Sequence, residues 1–286
     1  MKRFWLGSVA LIASLASGSA GAADLSQPVY KAPPPPPAPV YNWTGFYIGG
    51  NAGWIGSADN TLSNTGTDTG VGGLGTGLAI GEIPVSLSDF GTNGFIGGAQ
   101  AGYNWQLTPL WVWGVEADID WADAKKSFST GPITVPGHVP TTTDFSRDLD
   151  WLGTLRGRIG ITPTGPFLLY ATGGFAYGET KVGNAFICPT CNPPASTEPS
   201  TANSNSSSNL STGWTVGGGL EWAFAPSWSL KAEYLYVDLG SRSSTIAYTY
   251  GANNSSLTST VVDHENIVRA GINYKFNWGA PVVSRY

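Results

Sequence analysis

WVWGVEADIDW, residues 111–121, alternates without a break. Trp111, Trp113, Val115, Ala117, Ile119 and Trp121 share one side of an extended chain. Val112, Gly114, Glu116, Asp118 and Asp120 share the other. Successive side chains of a strand point to opposite faces, so this segment has one greasy face and one carboxylate face. A soluble protein would bury the first and hydrate the second. The same period recurs in several other long segments, and no helical pattern is available to cover them. The combination points to a barrel with lipid outside and a polar interior.

Seven further segments carry the alternation. In 44–56, Phe46, Ile48, Ala52 and Trp54 face out while Tyr47 and Asn51 face in. In 93–107, Phe95, Ala99, Ala101, Tyr103, Trp105 and Leu107 oppose Gln100, Asn104 and Gln106. In 148–162, Leu149, Trp151, Leu155, Ile159 and Ile161 oppose Thr154, Arg156 and Arg158. Segment 167–179 is apolar on both faces, and Leu169, Ala171, Phe175 and Tyr177 are assigned outward. In 212–225, Trp214, Val216, Leu220, Trp222 and Phe224 oppose Glu221. In 228–240, Leu230, Ala232, Tyr234 and Tyr236 oppose Lys231 and Glu233. In 266–276, Val268, Ala270, Ile272, Tyr274 and Phe276 oppose Arg269, Asn273 and Lys275. The fold class is therefore all-β, an eight-stranded antiparallel up-and-down transmembrane β-barrel spanning 43–276. Connections 57–92, 122–147, 180–211 and 241–265 are long and polar, whereas 108–110, 163–166 and 226–227 are tight and proline-bearing. Long loops at one end and short turns at the other are the pattern of outer-membrane barrels, with long loops outside the cell. Strands of a β-sandwich are shorter, usually ~5–6 residues.

The N-terminus supplies the route. Lys2 and Arg3, an apolar run from Phe4 to Ala16 and the site Ala20-Gly21-Ala22 read as a signal peptide over 1–22. Cleavage there removes two positive charges and takes the net charge from −5 to −7. No later stretch approaches the ~18 apolar residues of a spanning helix, so a membrane location requires a closed sheet. Residues 23–42 hold five consecutive prolines, Pro33 to Pro37, and read as an extended periplasmic linker. Charged residues make up 12% of the chain, about half the usual share, and there is no basic stripe, which argues against a nucleic-acid partner.

Aromatic residues cluster at strand ends. Trp54, Phe95, Trp121, Trp151, Tyr177, Trp214 and Tyr236 border the long loops; Phe46, Trp105, Trp113, Phe167, Trp222, Trp228 and Phe276 border the short turns. These are two girdles at headgroup level. Eight residues separate Trp113 from Trp121, which is about 27 Å of strand and roughly 20 Å of height at a ~40° tilt.

The inward charges are Glu116, Asp118, Asp120, Glu221 and Glu233 against Arg156, Arg158, Lys231, Arg269 and Lys275, five of each sign. An eight-stranded barrel is just wide enough for its side chains to fill it. Buried charges left unpaired cost several kcal/mol each, so these residues are expected to form a neutral, internally paired network. The alternative is a small porin whose charged ring selects ions. Cys188 and Cys191, in the third long loop, are expected to form a disulfide, because the exported compartment is oxidising. Nothing near them completes a metal site. No catalytic residue is assigned, although an outer-membrane hydrolase built around His264, beside Asp263 and Glu265, is the enzymatic alternative. Adjacent residues of an extended chain point apart, which weakens it.

The runs PAPVYNWTGFYIGGNAGW (37–54), LLYATGGFAYG (168–178), LKAEYLYVDLG (230–240) and VRAGINYKF (268–276) resemble the alphaproteobacterial outer-membrane immunogenic protein family, small porin-like barrels related in architecture to the OmpA transmembrane domain. The resemblance implies an abundant surface protein of the Gram-negative outer membrane with structural, antigenic or porin-like roles and no catalytic residues. Some members are reported to bind haem; no cofactor is assigned here, and although His138 or His264 could ligate haem iron, the favoured reading of both is a solvated loop histidine. A final strand ending at Phe276 looks like the signal read by the outer-membrane assembly machinery. The tail 277–286 follows it, and Tyr286 is the other candidate terminus. The expected partners are outer-membrane lipid, lipopolysaccharide and that machinery; the linker leaves peptidoglycan open as a further one.

Overall fold

The computed structural model describes residues 41–58, 61–70, 73–138, 140–188, 203–250 and 253–276. The expected signal peptide, the linker up to residue 40, Cys191 and the tail lie outside them. Ten strands and one helix follow in order: β1 Gly45–Ser57, β2 Leu62–Asp68, α1 Leu74–Ile80, β3 Ser86–Leu87, β4 Asn93–Gln106, β5 Trp111–Ser129, β6 Thr142–Ile161, β7 Phe167–Ile187, β8 Asn203–Ala225, β9 Trp228–Tyr250 and β10 Asn253–Lys275. Eight of them, β1 and β4 to β10, pair in antiparallel sequence, and β1 pairs with β10 to close the ring. Closure leaves no edge in the lipid zone, so every backbone group there finds a partner.

The alternation places the two faces as expected except at Leu149, expected outward, which is buried inside because the irregularity at Asp150 shifts the parity of β6. Trp54, Phe95, Trp121, Leu155, Leu169 and Val268 are all more than half exposed on the outside, while Glu116, Arg156, Glu233 and Arg269 are buried inside. The doubtful segment 167–179 has Leu169 and Phe175 outside and Leu168, Tyr170 and Ala176 inside. The girdle rings meet across strands: Phe46 with Phe276 at 5.7 Å, Phe167 with Trp222 at 6.1 Å, Trp151 with Tyr177 at 5.9 Å and Trp214 with Tyr236 at 5.7 Å. Leu155 lies opposite Ala117, mid-way between the girdles. Leu155→Lys is expected to cost about 2–4 kcal/mol of unfolding free energy in liposomes. Thr258→Lys, on the outer face far above the upper girdle, should stay within about 0.5 kcal/mol.

Three of the four long connections differ from expectation. Strands β5 to β10 run far past the upper girdle, so most of 122–147, 180–211 and 241–265 is sheet. Their Ser, Thr and Asn content reads as loop, but much of it is the hydrated outer face of strands whose inner face mixes apolar residues (Phe145, Val182, Ile246, Leu257 and Val261) with buried polar ones such as Thr143, Asn184, Ser244 and Ser259. In the fourth connection, β2 takes over from β1 as the partner of β10, pairing Leu62–Asp68 with Ser255–Val261. Among the described residues the ladder between β4 and β5 ends at Ala122 and that between β8 and β9 at Trp214. Above the membrane the ring thus opens into two leaves, β5–β8 and β9–β10–β2–β3. Helix α1 closes over the second leaf: Leu74 and Ile83 pack on Ile246 and Leu257. Asp68 fixes the helix start by accepting from Gly75 N (3.0 Å), Thr76 N (2.5 Å) and Thr76 Oγ1 (2.8 Å).

Bulges mark the transition. Between Trp121 and Ala124, two residues of β5 face the single Asp150 of β6, and Asp150 is likewise the extra residue against β7. On the other side, Leu239 and Gly240 of β9 face the single Asp263 of β10. Gly240 sits at φ +78°, a conformation glycine adopts without strain. In β9 the inward residues are odd-numbered up to Leu239 and even-numbered from Ser244 onward; in β6 the same switch occurs between Leu149 and Leu152.

Candidate functional site

The interior is a stack of apolar and polar layers. At the periplasmic end, Trp43 and Tyr41 fold into the mouth and pack with Val112, Leu168, Tyr170 and Ala223. Trp43 donates its indole N–H to the Gly165 carbonyl at 3.2 Å and its backbone N–H to Gln106 Oε1 at 2.9 Å. Tyr41 and Asn42, expected as the last residues of the linker, therefore belong to the barrel mouth. Lys275 lies over the Tyr41 ring at 4.2 Å and donates to the Asn42 carbonyl. It makes no ion pair among the described residues.

Above this stopper sits the ion cluster. Glu116 and Arg156 are direct cross-strand partners. Arg156 reaches Glu116 at 2.5 Å, Asp118 at 2.7 Å and Glu233 at 3.0 Å. Arg269 reaches Asp118 and Glu233, both at 2.7 Å, and pairs with Asp120. Lys231 holds Glu116 at 2.9 Å. Arg158 meets Glu221 at 3.1 Å, donates to Asn104 and lies between the rings of Tyr47 and Tyr170 at 4.8 and 5.3 Å. The two phenols donate into the same cluster, Tyr47 to Glu116 at 2.6 Å and Tyr170 to Glu233 at 2.9 Å. Glu221 also accepts from Ser229 at 2.5 Å and Asn273 at 2.8 Å. Nine of the ten inward charges thus form one cluster of five carboxylates and four cations; the expected balance of five against five is not met within it, because Lys275 stands at the mouth against Tyr41 and Asn42. Three Arg forks, each bound to two or more acceptors, give the geometry in which buried charge pairs are most favourable.

Next comes an apolar layer of Ile55, Ile96, Ala124, Leu149, Leu152, Leu235, Val237, Leu239 and Ile267. It separates the cluster from a second set of charges: Arg147 Nη2 contacts Asp263 at 2.6 Å and Glu265 at 2.7 Å, and Ser57 donates to Glu265 at 3.2 Å. These residues were missed because Arg147, Asp263 and Glu265 fall in segments read as loops. The signal was present, since Val261, Asp263, Glu265, Ile267 and Arg269 are spaced by two. A further apolar layer of Leu62, Phe90, Phe145, Val182 and Val261 lies beyond.

The remaining sequence candidates lie elsewhere. His264 points outward at the upper girdle, with Nε2 3.4 Å from Asp238, whereas its sequence neighbours Asp263 and Glu265 point inward. His138, between β5 and β6, has Nδ1 3.3 Å from Glu82, whose carboxyl burial raises above its ordinary value. Cys188 is buried and disulfide-bonded. Among the described residues no group of three or more His, Cys, Asp or Glu could hold a metal ion.

Comparison with known proteins gives a consistent picture. Residues 10–276 match the model of the outer membrane protein beta-barrel domain. The chain is 36% identical over 269 residues to the 31 kDa outer-membrane immunogenic protein of Brucella melitensis, covering 94% of this chain and 98% of that protein. It is 28% identical over 245 residues to the 22 kDa outer membrane protein of Rhizobium leguminosarum bv. viciae, covering 84% and 82%. The 25 kDa outer-membrane immunogenic protein of Brucella ovis is 26% identical over 269 residues, covering 91% and 92%.

Proposed function

The chain belongs to the outer membrane protein beta-barrel domain family and is an outer-membrane β-barrel protein; from that premise we propose that it serves as a closed structural scaffold that presents a sheet-built surface to the outside. The observation that carries this reading is the layered lumen. A steady aqueous path needs a continuous polar bore, and here the polar clusters alternate with packed apolar layers. The charges fit the same reading. A conducting ring keeps its charges available to passing ions, whereas Glu116, Arg156, Glu233 and Arg269 are each bound to several partners.

The mature chain, folded in detergent and inserted in a planar bilayer, should give flat current traces at moderate voltage. Reproducible single-channel steps from protein with heat-modifiable gel mobility would favour a solute-passing porin instead. No residue cluster described above favours an enzymatic or haem-binding role.

A further inference from the structure

The outer face of the leaf β5–β8 carries a cavity of about 580 Å³, within the ~300–1,000 Å³ range of ligand pockets. Four strands contribute to it. Ser127 and Ser129 come from β5, Asp144 and Ser146 from β6, Gly183 and Ala185 from β7, and Ser204 and Ser206 from β8. These eight positions have the outward parity of their strands; the other four lining residues, Phe128, Phe145, Asn184 and Asn205, have the inward parity. The two smallest residues, Gly183 and Ala185, lie on the strand between the polar pairs, so the centre of the site is low and its polar groups stand around it.

Most of these groups are unengaged. Among the described residues, no hydrogen bond or ion pair is made by the side chains of Ser127, Asp144, Ser146, Ser204 or Ser206. Ser129 Oγ accepts one long bond from Gly131 N at 3.4 Å. Four serine hydroxyls and one carboxylate stand together on this face with no partner among the described residues, open to water or to a ligand.

The chemistry of the lining selects the ligand. No cation lines the cavity. Of the lysines on the same leaf, Lys125 pairs with Asp123 at 2.9 Å, Lys181 pairs with Asp150, and Lys126 has the inward parity of β5, opposite to the site. Phosphate and sulfate groups would meet Asp144 with no compensating charge. The outward lining offers an apolar ligand hydroxyls and a carboxylate, which it would desolvate without return. A neutral polyol suits it: each serine both donates and accepts, and a carboxylate can accept from two adjacent hydroxyls at once. Height agrees. Asp144 lies seven residues beyond Trp151 on β6, roughly 18 Å above the girdle at ~3.4 Å per residue and a ~40° tilt. That is above the headgroups, where sugars stand and acyl chains do not.

We propose that this cavity binds a neutral carbohydrate, with Asp144 accepting a pair of neighbouring hydroxyls and the serines completing the shell. The inference deepens the surface-presenting role proposed above, and rests on it. Two sources could supply the sugar, the lipopolysaccharide of the same membrane or a soluble glycan.

Calorimetric titration of the full chain in detergent micelles tests this. The titrants are polysaccharide released from lipopolysaccharide by mild acid, dextran, and calcium chloride alone. Saturable binding of either glycan supports the site; binding of the first only assigns it to the cell's own envelope, and binding of dextran to glycans at large. Asp144→Asn should weaken that binding about tenfold, the loss of one charge-assisted pair. Gly183→Leu should abolish it by raising the floor. Both variants should keep heat-modifiable mobility, which reports the barrel independently of the sugar. Absence of saturable glycan binding, equal binding in both variants, or a response to calcium alone overturns the proposal. Flat bilayer traces would persist in every case, so failure here leaves the scaffold reading standing.

Discussion

Arg156→Met should destabilise the barrel by about 3–5 kcal/mol, measured by urea unfolding in liposomes. Methionine keeps most of the packing volume and removes the charge. Glu116, Asp118 and Glu233 then face one another with Lys231 and Arg269 as their nearest cations. Most of the loss is the desolvation cost of carboxylates left without an equal number of partners, beyond the value of the bonds removed. The counter-experiment follows from the same logic. Adding Glu116→Gln to Arg156→Met removes one of the stranded charges and should recover part of the stability. Arg156→Lys should fall in between, because an ammonium cannot span three acceptors as the guanidinium does. A cost below 1 kcal/mol for Arg156→Met would mean that the lumen is wet enough to solvate the acids, and the closed-scaffold reading would fail with it.

Gly98→Val should prevent the barrel from closing. A Cβ at Gly98 would lie 2.0 Å from the Ile119 carbonyl oxygen and 2.4 Å from Asp120 Oδ1. Gly98 is the register partner of both Asn51 and Asp120, so the clash falls on the β4–β5 seam of the wall. Backbone cannot yield there without breaking the ladder, and a broken ladder in lipid leaves unpaired peptide groups at several kcal/mol each. The expected result is a chain that shows no compact, heat-modifiable band after refolding. Gly157→Val is the control: its Cβ would lie 4.0 Å from the nearest atom, the Gly173 carbonyl oxygen, and it should fold.

The eight spanning segments were legible because lipid enforces the period-two pattern so strictly. Each outward residue facing lipid from Phe46 to Phe276 had to be apolar, and every inward charge but Lys275 found an opposite charge within reach. Glu116 with Arg156 could be paired on paper because adjacent strands fix their relative height. Above the girdle the rule relaxes. Ser243, Thr245, Thr258 and Thr260 face water, and a hydrated strand face has the composition of a loop, so β9 and β10 seemed to stop there. The parity switches in β6 and β9 hid the continuation further, since a window spanning Asp150 or Gly240 loses its alternation. Arg147 was missed for that reason, whereas Asp263 lies on the unbroken alternation of β10 and was missed because 241–265 has the polar composition of a loop. Trp43 was missed as a stopper because it precedes the first paired residue, where periodicity carries no information. Asp144 and its serines could not be singled out at all. Their convergence depends on four strands lying side by side, and nothing local marks it.

The bulged collar at Asp150 and Gly240 has a consequence for how this surface can change. In an uninterrupted barrel, inserting one residue into a strand turns every later side chain to the wrong side, so tips and wall must vary together. With a slip already absorbed at the waterline, the count above it is decoupled from the count below. Foreign sequence of either parity could be spliced into the crown without disturbing the part that touches hydrocarbon. The molecule is in effect a fixed socket bearing an exchangeable head.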